Sequence, residues 1–357
     1  VSSCPFEHIR RGNVMLDTLG RCYITCWRFI VTGSVCGASA LWAPASLANE
    51  PYVERPEVQA YIDELVQTHQ FSRAALEEVF SQSNRQDRII ELMSRPAERR
   101  LVWHEYRKIL VDEPRISQGV TFWRDNRAAL ERAETIYGVP PEIIVAIIGV
   151  ETRYGRVTGN FGVVDALSTL AFDYPPRAKF FRGQLTQHFL LSREEGKDPL
   201  SMKGSYAGAM GYGQFIPSSY RSYAVDFDGD GVRDIWSNKT DAIGSVANYF
   251  AENGWRGQHG VVERVSLAAE TAELTSLANG ALKPTRTVAQ WRELGVQVSA
   301  EQPANHVATL MRMQQPESAE YWLGYEDFYA ITRYNHSRLY AMAVYQLSQA
   351  ISERRKN

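Results

Sequence analysis

The chain has 357 residues, 44% of them hydrophobic and 22% charged, with a net charge of −2. That is enough for a large core in one big domain or two to three small ones. The charge balance, without any Lys/Arg run, excludes the footprint of a nucleic-acid-binding protein. Eight Trp, 18 Tyr and 14 Phe supply flat faces for stacking on sugars as well as for packing.

All four cysteines (Cys4, Cys22, Cys26 and Cys36) fall in the first 36 residues. Residues 1–48 have the layout of an export signal. Arg21 and Arg28 precede or open an apolar stretch from Phe29 to Trp42, and Ser46-Leu47-Ala48 offers a small-residue cleavage site before Asn49. Met15 is an alternative initiator to Val1. Cys36 is an alternative lipid-attachment site, but Gly33-Ser34-Val35 before it fits that signal poorly, so cleavage is favoured. The expected product is a cysteine-free periplasmic protein that needs no disulfides, with membrane contact only if Cys36 is lipidated. No later stretch is long and apolar enough to span a membrane.

From residue 49 to about 115 the pattern is helical. Pro56 can open a helix with Val58, Ile62, Leu65 and Val66 inward. Ser72 can cap a second with Ala75, Leu76, Val79 and Phe80 inward. Further helices are expected over Asp87 to Met93 and around Trp103, Tyr106 and Ile109-Leu110. Ile116 to Tyr137 reads as one long helix, stopped by Gly138-Val139-Pro140.

The next helix, Pro141 to Glu151, is the most apolar in the chain. Ile148, Ile147 and Ile144 lie three, four and seven residues before Glu151 and share its face. That face should point inward and take the carboxylate with it. Desolvation and the negative end of the helix dipole would both raise its pKa. An acid kept protonated near neutral pH is what glycoside cleavage requires. The competing reading is a glutamate that simply ends the helix in solvent.

Asp165 to Phe172 and Pro175 to Arg193 follow as helices, and then the texture changes. The run Gly204-Ser205-Tyr206-Ala207-Gly208-Ala209-Met210-Gly211-Tyr212-Gly213-Gln214-Phe215 is glycine-rich, which lets backbone approach a ligand closely. No Gly-Lys-Ser/Thr follows, so it is not a phosphate loop, and no organic cofactor is expected. In Asp226-Phe227-Asp228-Gly229-Asp230-Gly231-Val232, Asp226, Asp228 and Asp230 occupy positions one, three and five of an EF-hand-like calcium loop. Gly231 stands at the turn, and Val232 would offer a main-chain carbonyl at position seven. Position twelve is Ser237 instead of Glu. Asp241 is the candidate late carboxylate, although it also competes as the cap of the next helix, Ala242 to Glu252. The expected ion is a structural Ca2+, and the alternative is a plain Asp-Gly turn.

Residues 261 to 325 hold short β-like runs (Val261-Val262, Val296 to Val298, Val307 to Met311) around a helix near Val288 to Leu294. Helices at Phe328 to Tyr334 and Tyr340 to Ile351 close the chain. Between them, Arg333-Tyr334-Asn335-His336-Ser337 offers Asn335 as a partner for a sugar amide, against the plainer reading of a helix cap at Asn335 or Ser337. No histidine spacing suggests a metal site.

These motifs, in this order, resemble the B-type membrane-bound lytic transglycosylases of Gram-negative bacteria. The likeness runs from about Tyr106 to the C-terminus. It is densest in Gly149 to Arg153, Gly208 to Phe215, Asp241 to Phe250 and Thr332 to Ser337. It implies a mainly α (α+β) fold with a lysozyme-like helical core over 116–260, carrying the EF-hand-like loop 226–241 and completed by 326–357. An additional N-terminal helical domain at 49–115 and a small β-rich subdomain at 261–325 are implied with it. The implied reaction cuts the β-1,4 bond between N-acetylmuramic acid and N-acetylglucosamine in peptidoglycan glycan strands, leaving 1,6-anhydro ends. Glu151 would be its sole acid and base. By matching position Ser205 and Asn335 would stand beside Glu151, while Tyr106, Gln214, Tyr249, Tyr334 and Tyr340 would line the groove. Proteins of cell-wall synthesis or remodelling are the implied protein partners. Two other functions compete: a hydrolytic muramidase using Asp165 or Asp173 as a second carboxylate, and a non-enzymatic wall-binding scaffold.

Overall fold

The computed structural model describes residues 50–94 and 101–356. The expected export signal and the lipid-attachment site at Cys36 lie outside these residues. A short 3-10 turn at Tyr52–Glu54 leads into α1 (Pro56–His69), α2 (Arg73–Gln82) and α3 (Asp87–Ser94). Pro56 opens α1, and the Ser72 hydroxyl caps α2 by accepting from the Ala75 amide. α1 buries Val58, Tyr61, Ile62 and Leu65; α2 buries Leu76 and Phe80. Ala75, expected inward, is exposed, because the inward stripe runs through Leu76 and Phe80 at a spacing of four.

After β1 (Phe161–Gly162) come α8 (Val163–Phe172) and α9 (Ala178–Glu194), and the first three helices pack on this side of the core. Tyr61, Phe80, Phe172 and Phe189 meet edge to face at centroid distances of 5.8 to 6.3 Å. The N-terminal helices therefore share one continuous buried core with the remaining helices of the chain.

The expected single helix over 116–137 is two: α5 (Glu113–Asp125) and α6 (Arg127–Tyr137), after α4 (Trp103–Leu110). Asn126 leaves helical geometry at φ −122°, ψ 25°, and its side-chain amide donates to the Phe122 carbonyl at 2.7 Å. A side chain that supplies a local partner lets the ladder break at low cost. The bend lets Phe122 and Trp123 on one side, and Leu130 and Ala133 on the other, face the same core.

α7 (Pro141–Thr152) is the axle of the fold, with every residue from Ile143 to Gly149 buried. α5, α6, α11 (Lys239–Glu252) and α15 (Arg338–Lys356) surround it. A helix apolar all round can only sit in such an interior. The chain between α9 and α11 includes β2 (Lys203–Gly204), paired with β1, and α10 (Pro217–Tyr223), a helix the sequence pattern does not separate.

Residues beyond α11 form an antiparallel five-stranded sheet of order β4-β6-β7-β3-β5. Its strands are β3 (Val262–Leu267), β4 (Arg286–Thr287), β5 (Val296–Gln297), β6 (Val307–Gln314) and β7 (Ala319–Gly324). Two short helices, α12 (Ala272–Leu277) and α13 (Val288–Glu293), pack against it, and α14 (Glu326–Tyr334) returns to the helical core. The three expected β-runs fall in or beside β3, β5 and β6; β4, β7 and α12 are additions. β6 is buried on both faces by its period of two. Ala308 and Leu310 join Leu274, Val288, Trp291 and Leu323 in the sheet's own core, while Met311 and Met313 enter the helical one. One strand thus ties the two cores together.

Candidate active site

Glu151 lies in the last turn of α7, and Arg153 leaves the helix in the left-handed conformation at φ 49°. The Thr152 hydroxyl fastens this end, donating to the Tyr212 carbonyl at 3.0 Å and accepting from the Gly155 amide at 3.0 Å. The Tyr154 hydroxyl folds back to the Arg115 carbonyl at 2.9 Å and lies against Gly149, where a Cβ would collide with it. Glycine at 149 is thus required by close approach.

Glu151 lines an open cleft of about 340 Å³ together with Gln214, Phe215, Ser219, Tyr249, Tyr334 and Asn335. Its half-buried carboxyl is pushed up to about 7, because burial disfavours the anion; the Tyr340 hydroxyl, donating to Oε1 at 2.5 Å, pulls the other way. Among the described residues, no other carboxylate lines this cleft. The aromatic walls are fixed from behind. Tyr249 donates to the Arg333 carbonyl at 2.6 Å and Tyr334 to the Gly213 carbonyl at 2.5 Å. Their rings meet at a centroid distance of 4.6 Å. Gln214, at φ 51°, donates to the Thr158 and Gly211 carbonyls.

Asn335 is 4% exposed, and its side-chain carbonyl oxygen has no hydrogen-bond partner among the described residues. The hydroxyl of Ser337, not Asn335, accepts from the Tyr340 amide at the start of α15. The capping reading of Asn335 therefore fails. An unpaired buried acceptor on the wall of a cleft is a site for an incoming N–H.

The profile of the family described as "Transglycosylase SLT domain" matches residues 54–349. A curated relative, membrane-bound lytic murein transglycosylase B of Escherichia coli (strain K12), is 46% identical over 313 residues, covering 84% of each chain. The chain belongs to the SLT transglycosylase family. Among solved structures, soluble lytic transglycosylase SltB1 of Pseudomonas aeruginosa superposes with a TM-score of 0.81 at 48% identity, covering 85% of this chain and 100% of that one. Escherichia coli Slt35, solved in complex with calcium, gives a TM-score of 0.76 at 45% identity, covering 87% and 96%.

Of the residues expected around the acid in this transglycosylase, Glu151, Gln214, Tyr249, Tyr334 and Asn335 line the cleft, and Tyr340 touches Glu151 directly. Burial pushes the Tyr106 hydroxyl on α4 up to about 12, with the nearby Glu151 charge adding to it. Ser205 does not line the cleft. Its hydroxyl accepts from the Ala207 and Ala209 amides and closes the glycine-rich turn. Phe215 and Ser219 were missed as lining residues. Pro217, which opens α10, was the available signal for Ser219.

The two carboxylates of the hydrolytic reading are engaged elsewhere. Asp165 accepts from the Asn84 amide at 2.8 Å and from the Gln86 side chain. Asp173 accepts from the Tyr52 hydroxyl at 2.7 Å and from Arg55 at 3.1 Å. Both hold the N-terminal helices to α8, and neither lines the cleft.

In the acidic loop, Asp226, Asp228 and Asp230 each offer one oxygen within 4.8 Å of the others. Gly231, at φ 90°, makes the turn that gathers them. This donor set fits a hard divalent cation. The side chain of Val232 is exposed, so only its main chain is suited to a ligand role. Asp241 does not join the trio. It is fully buried, and its two oxygens accept from the Phe227 amide at 2.7 Å and the Asp234 amide at 2.8 Å. It clasps the loop from beneath. Asn238, not Asp241, caps α11. Asn238 also donates to Asp228 at 2.7 Å.

Proposed function

We propose that this chain is a peptidoglycan lytic transglycosylase in which Glu151 serves alone, first as general acid and then as general base. The carrying observation is a single carboxyl in the cleft, pushed up to about 7, with no second carboxylate beside it among the described residues. A hydrolysing glycosidase needs two carboxyl groups about 5 to 9.5 Å apart. The single-acid route does not. Protonated Glu151 gives its proton to the glycosidic oxygen as the C1–O bond of the N-acetylmuramic acid breaks. The resulting carboxylate then takes the proton from O6 of the same sugar as O6 bonds to C1. The product is a 1,6-anhydro end, no water is consumed, and Glu151 ends protonated as it began.

Tyr340 orients the carboxyl and stabilises it while it is charged. Asn335, with its unpaired oxygen, accepts the N–H of the substrate's acetamido group. Tyr249, Tyr334, Phe215 and Tyr106 offer ring faces to the sugars. We place the enzyme in the periplasm, where peptidoglycan lies. N-terminal sequencing of the exported protein should begin at Asn49.

The acidic loop is proposed as a structural calcium site on Asp226, Asp228 and Asp230, with the Val232 carbonyl as a further oxygen donor. It matches the chemistry of a relative solved with calcium. The ion would supply charge neutralisation in the loop and takes no part in the sugar chemistry.

Mass spectrometry of soluble products from isolated peptidoglycan tests the reaction. Muropeptides lighter by one water than hydrolytic ones, absent with Glu151→Gln, are expected. Products with full reducing ends, or an active Glu151→Gln, would overturn the reading.

A further inference from the structure

Arg115 is a charged residue in the core that touches no part of the cleft. It is 4% exposed and sits in the first turn of α5. Its guanidinium reaches two other helices at once. Nε donates to the Gly149 carbonyl of α7 at 3.0 Å, two residues before Glu151. Nη1 donates to the Ile109 and Leu110 carbonyls, the last of α4, at 2.9 and 3.0 Å, and to Asp112 at 2.8 Å. Its own main-chain carbonyl accepts from Tyr154, three residues after Glu151.

Both contacts are to the C-terminal turns of helices, where the dipole places partial negative charge; the Gly149 carbonyl also accepts from the Arg153 amide at 3.2 Å. α4 carries Tyr106 and α7 carries Glu151, and the Glu151 charge is near enough to act on the Tyr106 hydroxyl, so Arg115 joins the ends of two helices whose side chains meet around the acid. α4 is also held by the fully buried Trp103, by the Arg107–Gln346 contact at 2.5 Å, by a long His104–Gln314 bond at 3.4 Å and by packing on α15 and β6. A rigid planar fork is the side chain suited to fixing two carbonyl groups at one separation.

We propose that Arg115 is a positioning residue of the lytic reaction, locking the end of the Glu151 helix and the end of the Tyr106 helix into one rigid unit. The proposal rests on Glu151 being the acid. It has two separable consequences. The first is geometric. Loosening the unit misplaces the carboxyl, and a misplacement of ~1 Å costs on the order of 100-fold in rate. The second is electrostatic. The guanidinium neutralises the negative end of α7, so its loss leaves that charge beside Glu151 and strengthens the hold on its proton. The groups facing Glu151 are Tyr340 of α15, Tyr106 of α4 and Tyr249 of α11; those facing Arg115 are Asp112, Arg153 and Tyr154. Arg153 is the one other cation among them, and its guanidinium lies 3.7 Å from Asp112.

The test compares Arg115→Met and Arg115→Lys with the parent on soluble glycan strands, reading kcat, KM and the alkaline limb of the rate profile. Arg115→Met is expected to lose roughly 10- to 100-fold in kcat with KM within about twofold. Its alkaline limb should move up by roughly half a pH unit. Arg115→Lys keeps the charge and loses the fork, so its kcat should fall while its limb stays. Guanidinium ion added to the Met variant should restore part of kcat. An unchanged kcat in either variant overturns the proposal, as does a loss confined to KM, since that is a loosened groove only. Should Arg115→Met not fold, the Lys variant decides by the same readings. Glu151→Gln runs alongside: full activity there sinks the reading of the acid itself, whatever Arg115 does.

Discussion

Replacing Glu151 by Gln should make the protein more stable, and only at neutral to alkaline pH. In an unfolded chain this carboxyl titrates near 4.5, while in the cleft it is pushed up to about 7. Between those values the folded state holds a proton that the unfolded state has released. Stability therefore falls as pH rises through this window and stays at the lower level above it. The interval corresponds to about 3 kcal/mol, reduced to ~2 kcal/mol because the side chain keeps some contact with solvent. Glutamine does not titrate and can still accept from Tyr340. The variant should thus gain ~2 kcal/mol at pH 8, or ~3 °C in Tm for a fold of about 300 residues. At pH 4 it should gain almost nothing. Scanning calorimetry at pH 4, 6 and 8 reads this directly. A variant no more stable than its parent at pH 8, or equally stabilised at pH 4, would show that Glu151 does not sit under a desolvation penalty, and the argument for a protonated acid would go with it.

The same proton should govern the rate. Activity is expected to be level below about 7 and to fall about tenfold per pH unit above it, since only protonated Glu151 can start the reaction. Tyr340→Phe removes the donor that favours the anion, so its alkaline limb should move upward while kcat falls; a limb that moves down would contradict the assigned role. Calcium at a hundredfold excess over its Kd should stabilise the native state by about 2.7 kcal/mol, roughly 4 °C. Asp228→Asn with Asp230→Asn should abolish that gain, and an identical melting curve in excess chelator would reduce the loop to a turn. His188 is fully buried, held at about 4 by desolvation, and donates Nε2 to the Pro199 carbonyl at 2.9 Å. Its folded value lies below its unfolded 6.5, so stability should drain away as pH falls from 6.5 toward 4, by up to ~3 kcal/mol; His188→Gln should flatten that slope in urea titrations, and an unflattened slope would refute the assignment. Finally, Asp165→Asn and Asp173→Asn should keep near-parental activity per folded molecule while melting lower, because both carboxylates serve the packing of the N-terminal helices. An inactive but stable variant at either position would revive hydrolysis.

What the sequence disclosed, and what it hid, divides along a physical line. Glu151 was legible because its signal is local: three isoleucines at helical spacing force the orientation of the fourth position, and the fold adds only the surrounding helices. The acidic loop was legible for the same reason, with Asp226, Asp228 and Asp230 close in sequence as well as in space. Asp241 misled because a carboxylate after such a loop looks like a ligand, whereas its oxygens are spent on two main-chain amides that only the folded loop presents. The break at Asn126 was hidden by continuous apolar spacing on both sides; the side-chain bond to Phe122 that allows it leaves no mark in the periodicity.

Ser205 and Asn335 carry this distinction furthest. Resemblance places both beside the acid, and both are small polar residues next to helix or turn boundaries, where capping is the commoner role. Sequence alone could not rank them. The fold separates them by their partners. Ser205 accepts two amides and is occupied in shaping its turn. Asn335 sits nearly as deep as a core residue and leaves an acceptor unpaired, a cost of roughly 1 to 3 kcal/mol that packing alone gives no reason to bear. A donor entering the cleft would recover that cost. Removing the acceptor should therefore weaken substrate handling while leaving stability unchanged or improved, and Asn335→Leu is the direct check. Lower kcat/KM with an equal or higher Tm is expected. A lower Tm with intact kcat/KM would return Asn335 to the scaffold.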